Sequence, residues 1–176
     1  MILDNKVTIL GIGNILRKDD GFGVRAIEEL TRHYIFPSNV NVIDGGTSGL
    51  ALLPHVEESQ NLIVLDAIKG DGEAGTLYRF SLDEFKLTIG KKISLHDMGF
   101  LEVMALAEIN DSLPNEVTII GTKPQNIDED SMVLTDPVAN AIKPTVKMVL
   151  KELKRYGIEL VEQENIDYYS PFNQVS

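Results

Sequence analysis

The sequence of 176 residues contains no cysteine and no tryptophan, and aromatic residues make up 6% of it. The absence of cysteine excludes disulfide bonds, thiolate metal ligands and a cysteine nucleophile. No apolar run approaches the roughly 18 residues that a membrane-spanning helix needs. The first residues also lack the basic and apolar regions of a signal peptide. These absences predict a cytoplasmic protein that does not enter membranes.

Basic residues are also scarce. The sequence contains 16 Lys and Arg residues and 27 Asp and Glu residues, so the net charge is -11 at pH 7. An acidic surface repels nucleic-acid phosphates and anionic membranes, and we therefore expect neither as a partner. The hydrophobic content of 43% in a chain of this length is enough for the core of one domain.

Apolar segments typical of strands alternate with segments of helical periodicity along most of the chain. This alternation predicts an α/β fold with three layers, in which a twisted, mostly parallel sheet of about five strands carries helices on both faces. The strands are predicted at 6–13, 39–46, 61–70, 75–81 and 115–122, and the segment 75–81 is expected to be antiparallel. The helices are predicted at 21–34, 50–59, 98–109 and 136–157. Residues 1–160 form one predicted domain, and 161–176 a polar, flexible tail.

A glycine-rich turn follows the first predicted strand. Gly11 and Gly13 match the start of a dinucleotide-binding fingerprint, but the third glycine position holds Leu16. Asp19 and Asp20 follow immediately, where carboxylates would repel a pyrophosphate. The turn therefore argues against a nucleotide site, and Asp19 is expected to cap the next helix.

Acidic residues and a histidine follow the predicted strands where those strands end. Asp20, Asp44 and Asp66 each follow or close a strand, and His96 lies in the segment ISLHDMG before a helix. Ligands of doubly wound sheets bind at this edge. Two carboxylates and one imidazole suit a divalent transition metal and leave coordination positions open. Each residue also has an ordinary structural explanation, which is a cap for Asp20 and a turn for Asp44.

Four segments, in this order, resemble the hydrogenase maturation endopeptidases: LGIGNILRKDDGFGVR, DGGTSGLALL, LIVLDAIKGDGEAGTL and ISLHDMGFLEVM. The similarity extends over about residues 5–160. The acidic metal-binding residue of that family falls on Asp20, its strand-end aspartate on Asp66 and its histidine on His96. The resemblance implies that these three residues are both the catalytic and the metal-binding residues.

The same resemblance implies an activity. Family members remove a C-terminal extension from the nickel-loaded precursor of the nickel-iron hydrogenase large subunit. The nickel would come from the precursor, and other divalent metals could occupy the site. We expect the precursor as partner and a monomer as the active form. Two alternatives stay open at this point: a non-proteolytic, metal-dependent chaperone of the precursor, and a nucleotide-binding α/β enzyme.

A second glycine-rich segment follows the second predicted strand. Gly45, Gly46, Thr47 and Gly49 are predicted to bind the substrate, because glycines allow close approach of another backbone. The same glycines could instead form a simple turn. The sequence also leaves open whether a carboxylate of the site binds metal or serves as the general base.

Overall fold

The computed structural model describes residues 5–89 and 95–163. For residues 89 and 95–97 it describes the backbone but not the side chains. Within these ranges the chain forms seven strands: β1 Val7–Ile12, β2 Tyr34–Ile35, β3 Val40–Gly46, β4 Asn61–Ala67, β5 Leu77–Ser81, β6 Glu116–Thr122 and β7 Val161–Glu162. It also forms five α-helices: α1 Phe22–His33, α2 Leu53–Glu57, α3 Leu82–Ile89, α4 Leu95–Ile109 and α5 Asp136–Arg155. Two short 3-10 turns cover Lys18–Gly21 and Gly49–Leu52.

The main sheet has five strands in the order β3-β1-β4-β6-β5. The pairs β1–β3, β1–β4 and β4–β6 are parallel, and β5 is antiparallel to β6. The predicted α/β class, the strand number and the antiparallel direction of residues 75–81 are therefore confirmed. Continuous apolar runs such as β4 are typical of parallel strands that are covered on both faces.

Successive residues of a strand point to opposite faces, and this alternation builds two cores. In β4, Leu62 and Val64 pack into the cluster that α2, α3 and α4 cover. Ile63 and Leu65 pack into the other cluster, which α1 and α5 cover. The sheet is thus the middle of three layers, as predicted.

Helix α3 was not predicted from the sequence, although a local signal for it exists. The Ser81 hydroxyl accepts a hydrogen bond from the Glu84 backbone N–H at 3.3 Å, and the Glu84 carboxylate accepts one from the Ser81 N–H at 2.7 Å. This reciprocal pair is the capping box of a helix N-terminus. A Ser-x-x-Glu spacing in the sequence would have indicated it.

The long helix α5 ends close to the predicted residue. Gly157 has φ +76°, and its N–H donates to Lys154 O at 3.0 Å. A glycine in the left-handed region is the usual way to end a helix. Beyond it, β7 pairs with β2, so residues 161 and 162 belong to a two-stranded sheet. Residues 164–176 lie outside the described part, and their flexibility stays a prediction.

Within the described ranges, no helix combines the length and the apolarity that crossing a bilayer requires.

Candidate functional site

The 3-10 turn that carries Asp20 lies at the carboxyl edge of the sheet because α1 begins in close contact with two strands. A Cβ on Gly23 would lie 2.4 Å from Ile12 O in β1 and 2.1 Å from Leu65 O in β4. Only a glycine permits this approach, and it places the turn beside the ends of both strands.

Asp20 itself is nearly buried, with 9% of its surface exposed. One of its carboxylate oxygens accepts a hydrogen bond from the Asn14 N–H at 3.0 Å. Gly13 has φ +125°, and a Cβ there would lie 1.8 Å from Asp20 O. The glycine turn after β1 therefore supports the segment that carries Asp20.

Asp66 occupies the carboxyl end of β4 and is 2% exposed. Its Oδ1 accepts a hydrogen bond from the Ala67 N–H at 2.7 Å. By the alternation of the strand, it shares a face with Leu62 and Val64, which is the face that α4 covers. Asp66 therefore lies at the carboxyl edge, where sheets of this kind bind ligands.

His96 was expected before the helix, but α4 begins at Leu95 and His96 lies in its first turn; its side chain falls outside the described residues. The neighbouring backbone does locate this segment. A Cβ on Gly99 would lie 3.8 Å from the Cα of Gly49, and Gly99 shares a hollow with Ile12 at the end of β1. The start of α4 therefore lies at the same edge of the sheet as Asp20 and Asp66.

The donor types at this edge suit a divalent metal, because carboxylate oxygen and imidazole nitrogen bind borderline cations well. Among the side chains that the structure describes, no three His, Asp or Glu residues are grouped so that they could hold a metal ion. The predicted set of Asp20, Asp66 and His96 depends on a side chain outside those residues. It stays a prediction.

Asp19 has a different role from the predicted helix cap. Neither the 3-10 turn nor α1 has a side-chain hydrogen bond at its N-cap. Asp19 is fully buried and instead accepts hydrogen bonds from the segment after β6. The donors are the N–H groups of Gln125 at 2.8 Å, Asn126 at 2.9 Å and Thr135 at 2.7 Å, and the Thr135 hydroxyl at 2.9 Å. The prediction was wrong because these partners lie more than 100 residues away along the chain.

The glycine segment after β3 divides into two parts. Gly46, Thr47 and Gly49 line a hollow of about 60 Å³ at the carboxyl edge. Gly45 is buried in packing instead, since a Cβ there would lie 2.7 Å from Leu10 Cδ1. The Asp44 carboxylate accepts a hydrogen bond from the Gly46 N–H at 3.0 Å, which confirms the turn role expected for Asp44. Substrate binding by this segment stays a prediction.

The opposite wall of this hollow was missed from the sequence. Gly99 and Phe100 of α4 line it together with Leu52. A glycine near the start of a helix is an available signal, because it often marks close approach of another backbone. The side chains of Leu50 and Met98, next to Gly49 and Gly99 in sequence, are 53% and 49% exposed. Each of these two exposed apolar side chains is therefore one residue away from a glycine of the hollow.

Comparison with known sequences places these features in a family. The family model described as HycI, hydrogenase maturation protease, matches residues 24–152. Hydrogenase expression/formation protein HupD of Bradyrhizobium diazoefficiens is 42% identical over 156 residues, which cover 88% of this chain and 81% of HupD. The hydrogenase 2 maturation protease of Escherichia coli is 34% identical over 162 residues, covering 92% of this chain and 98% of that protein.

Solved structures agree with the sequence comparisons. The hydrogenase maturating endopeptidase HybD from E. coli superimposes with a TM-score of 0.85 at 33% identity, over 90% of this chain and 98% of HybD. The nickel-iron hydrogenase maturation protease HybD from Thermococcus kodakarensis gives 0.68 at 31% identity, over 84% and 98%. The chain belongs to the hydrogenase maturation protease family, whose members are hydrolases acting on peptide bonds.

Proposed function

We propose that this protein is the endopeptidase that removes the C-terminal extension from the nickel-loaded precursor of a nickel-iron hydrogenase large subunit. The observation that carries the proposal is the location of two buried carboxylates, Asp20 and Asp66, at the carboxyl edge of the sheet. Asp20 comes from the 3-10 turn and Asp66 from the end of β4, in a chain that belongs to a protease family and contains no cysteine.

We assign three residues as ligands of the precursor's nickel: Asp20, Asp66 and His96. A metal ion in such a site polarises a carbonyl and lowers the pKa of water. The protein's own contribution is to hold the carboxylates in fixed positions. The Asn14 and Ala67 N–H groups orient them, and burial excludes competing water. Either carboxylate could also accept the proton from the attacking water, as a general base.

In this proposal the nickel is part of the substrate and serves as its recognition signal. A precursor without nickel would bring no cation to compensate the two buried carboxylates. Its docking would therefore lack the attraction between a cation and these two carboxylates. Cleavage would therefore follow metal insertion, and the carboxylate site would couple recognition to hydrolysis.

The structure of the glycine turn gives no support to the nucleotide-binding alternative. Phosphate loops offer unused backbone N–H groups to the ligand. Here the Gly13 N–H donates to Gly46 O at 2.9 Å, and the Asn14 N–H donates to the Asp20 carboxylate. These backbone N–H groups of the turn are therefore used within the protein. The turn also places the Asp20 carboxylate, an anion, where a phosphate would bind.

The central test is incubation of the protein with nickel-loaded and nickel-free precursor, followed by mass measurement of the large subunit. We expect loss of a C-terminal peptide from the loaded precursor alone. Equal cleavage of both forms would refute metal recognition. Binding of the loaded precursor without any loss of mass would support a chaperone, and the same samples analysed by size exclusion would report whether the active form is a monomer.

Variants of the three assigned residues test their roles separately from folding. Asp20→Asn, Asp66→Asn and His96→Ala should each lower processing of the loaded precursor by at least a hundredfold. Asp83→Asn, at an exposed position of α3, is the matched control and should process normally. Circular dichroism and the thermal midpoint verify the fold. Full activity of any one of the three variants would remove that residue from the site.

A further inference from the structure

An open cleft of about 650 Å³ adjoins the candidate site and has no role in the function proposed so far. It lies between the 3-10 turn, which contributes Lys18, and the segment after β6, which contributes Pro124 to Asp128 and Thr135. Lys69 completes its lining from the segment after β4. Lys18 is two residues before Asp20 and Lys69 three residues after Asp66, so the cleft and the site share two loops.

The wall of this cleft is held in place by a buried charge. Gln125, Asn126 and Thr135 line the cleft, and the backbone N–H of each donates to the fully buried Asp19 carboxylate. Hydrogen bonds to a buried carboxylate are stronger than those between neutral groups. The Lys18 N–H also donates to Ser131 O, at 2.7 Å. The cleft is therefore a preorganised feature of the fold, with walls fixed before any ligand binds.

Lys18 is held in an unusual backbone conformation at the mouth of the cleft. Its φ of +46° lies in the left-handed region, which costs a residue with a side chain about 1 kcal/mol. Its ammonium group forms an ion pair with Glu129 at 2.6 Å. This ion pair engages the Lys18 ammonium group within the protein, and Lys69 is the second cation of the lining.

Lys69 is exposed and has no ion-pair partner among the described residues. The acidic residue of the lining, Asp128, has a side chain that is 94% exposed and pairs with Arg17 at 3.7 Å. In a chain with a net charge of -11, a lysine that has no ion-pair partner among the described residues and lies in a preformed cleft favours an anionic ligand.

We propose that this cleft is a subsite for a carboxylate of the precursor's C-terminal extension, and that Lys69 binds this carboxylate directly. The proposal rests on the proposed function, because it assumes that the extension lies along the carboxyl edge of the sheet. A peptide offers two sources of this chemistry, which are its acidic side chains and its terminal carboxylate. Lys69 would then determine specificity and take no part in bond cleavage.

The test uses synthetic peptides of the extension and the whole enzyme. Binding is measured by fluorescence anisotropy for the free peptide, for the peptide with every acidic side chain changed to its amide, and for the peptide with an amidated C-terminus. Lys69→Gln should weaken binding of the free peptide about two- to fivefold, the effect of one exposed charge pair. One of the two modified peptides should bind wild type and Lys69→Gln equally well. That peptide lacks the carboxylate that Lys69 binds, and it therefore identifies the source of this carboxylate. Lys69→Arg should restore affinity.

The matched control is Lys151→Gln, at an exposed position on the outer side of α5, which should leave all affinities unchanged. With nickel-loaded precursor, Lys69→Gln should raise KM by the same factor and leave kcat unchanged. Equal affinity of wild type and Lys69→Gln for the free peptide would overturn the subsite, as would an equal loss for all three peptides. Failure of the wild type to cleave the precursor would instead contradict the proposed function, because the peptide-binding result is obtained independently of cleavage.

Discussion

The buried carboxylate of Asp19 accepts two hydrogen bonds from Thr135, one from its backbone N–H at 2.7 Å and one from its hydroxyl at 2.9 Å. Thr135 is the N-cap residue of α5. The contact therefore joins the turn that carries Asp20 to the start of the longest helix. It also fixes one end of the segment that follows β6.

Replacing Asp19 by Ala should destabilise the protein by about 3 kcal/mol, because four donors lose a charged acceptor in a buried place. Urea unfolding followed by circular dichroism measures this change. Asp128→Ala removes a carboxylate from the same region whose side chain is 94% exposed, and it should change stability by less than about 0.5 kcal/mol. Similar effects of the two substitutions would contradict the anchoring role of Asp19.

Gly13→Ala should displace the segment that carries Asp20. A Cβ at φ +125° would lie 1.8 Å from Asp20 O, so the backbone itself must move. We expect a loss of about 2–4 kcal/mol and little processing of the precursor. Gly157→Ala is the control, since its φ is +76° but no atom beyond its own chain neighbours lies within 4 Å of the added Cβ. It should cost about 1 kcal/mol and retain activity.

Gly49→Ala separates the substrate role of the glycine segment from its turn role. Gly49 has φ +52°, and no atom beyond its own chain neighbours lies within 4 Å of an added Cβ, so the substitution should lower the stability by about 1 kcal/mol. If a substrate backbone approaches the hollow, KM for the loaded precursor should rise at least tenfold. An unchanged KM would assign Gly49 to the turn alone.

Glu152 should make the stability of the fold depend on pH. Its side chain is 4% exposed and forms hydrogen bonds with Arg79, at 2.6 Å, and with Arg155. Burial by itself raises the pKa of Glu152, but the hydrogen bonds from the two arginines outweigh burial and hold the pKa below its ordinary value of 4.5. A carboxyl with a lowered pKa stabilises the folded state above its unfolded pKa, and this contribution is lost as the pH falls through the folded pKa.

Urea unfolding from about pH 6 to about pH 3 measures this dependence. Glu152→Gln should lower stability by about 2 kcal/mol at the upper end and show a flatter decline below pH 4.5 than the wild type. Glu159→Gln, whose side chain is 80% exposed, should follow the wild-type curve. Parallel curves for wild type and Glu152→Gln would show that this network does not control the acid response.

Local patterns were sufficient for most of the fold. The apolar runs of β1, β4 and β6, the periodicity of α1 and α5, and Gly157 at the end of α5 act over a few residues, so they can be read directly. The same patterns located Asp20 and Asp66, because the end of a predicted parallel strand also marks the carboxyl edge of the sheet. Helix α3 escaped prediction although its capping box is local.

The sequence by itself determined the α/β class, the family and the loops that carry the candidate site. Tertiary structure alone decided what each polar side chain in those loops contacts. Asp19 and Asp20 are adjacent and chemically identical, yet one anchors residues 125, 126 and 135 and the other binds Asn14 beside the ends of β1 and β4. Likewise, Lys18 and Lys69 line one cleft although they are 51 residues apart in the sequence. Such contacts depend on how distant segments pack, and no local periodicity encodes them.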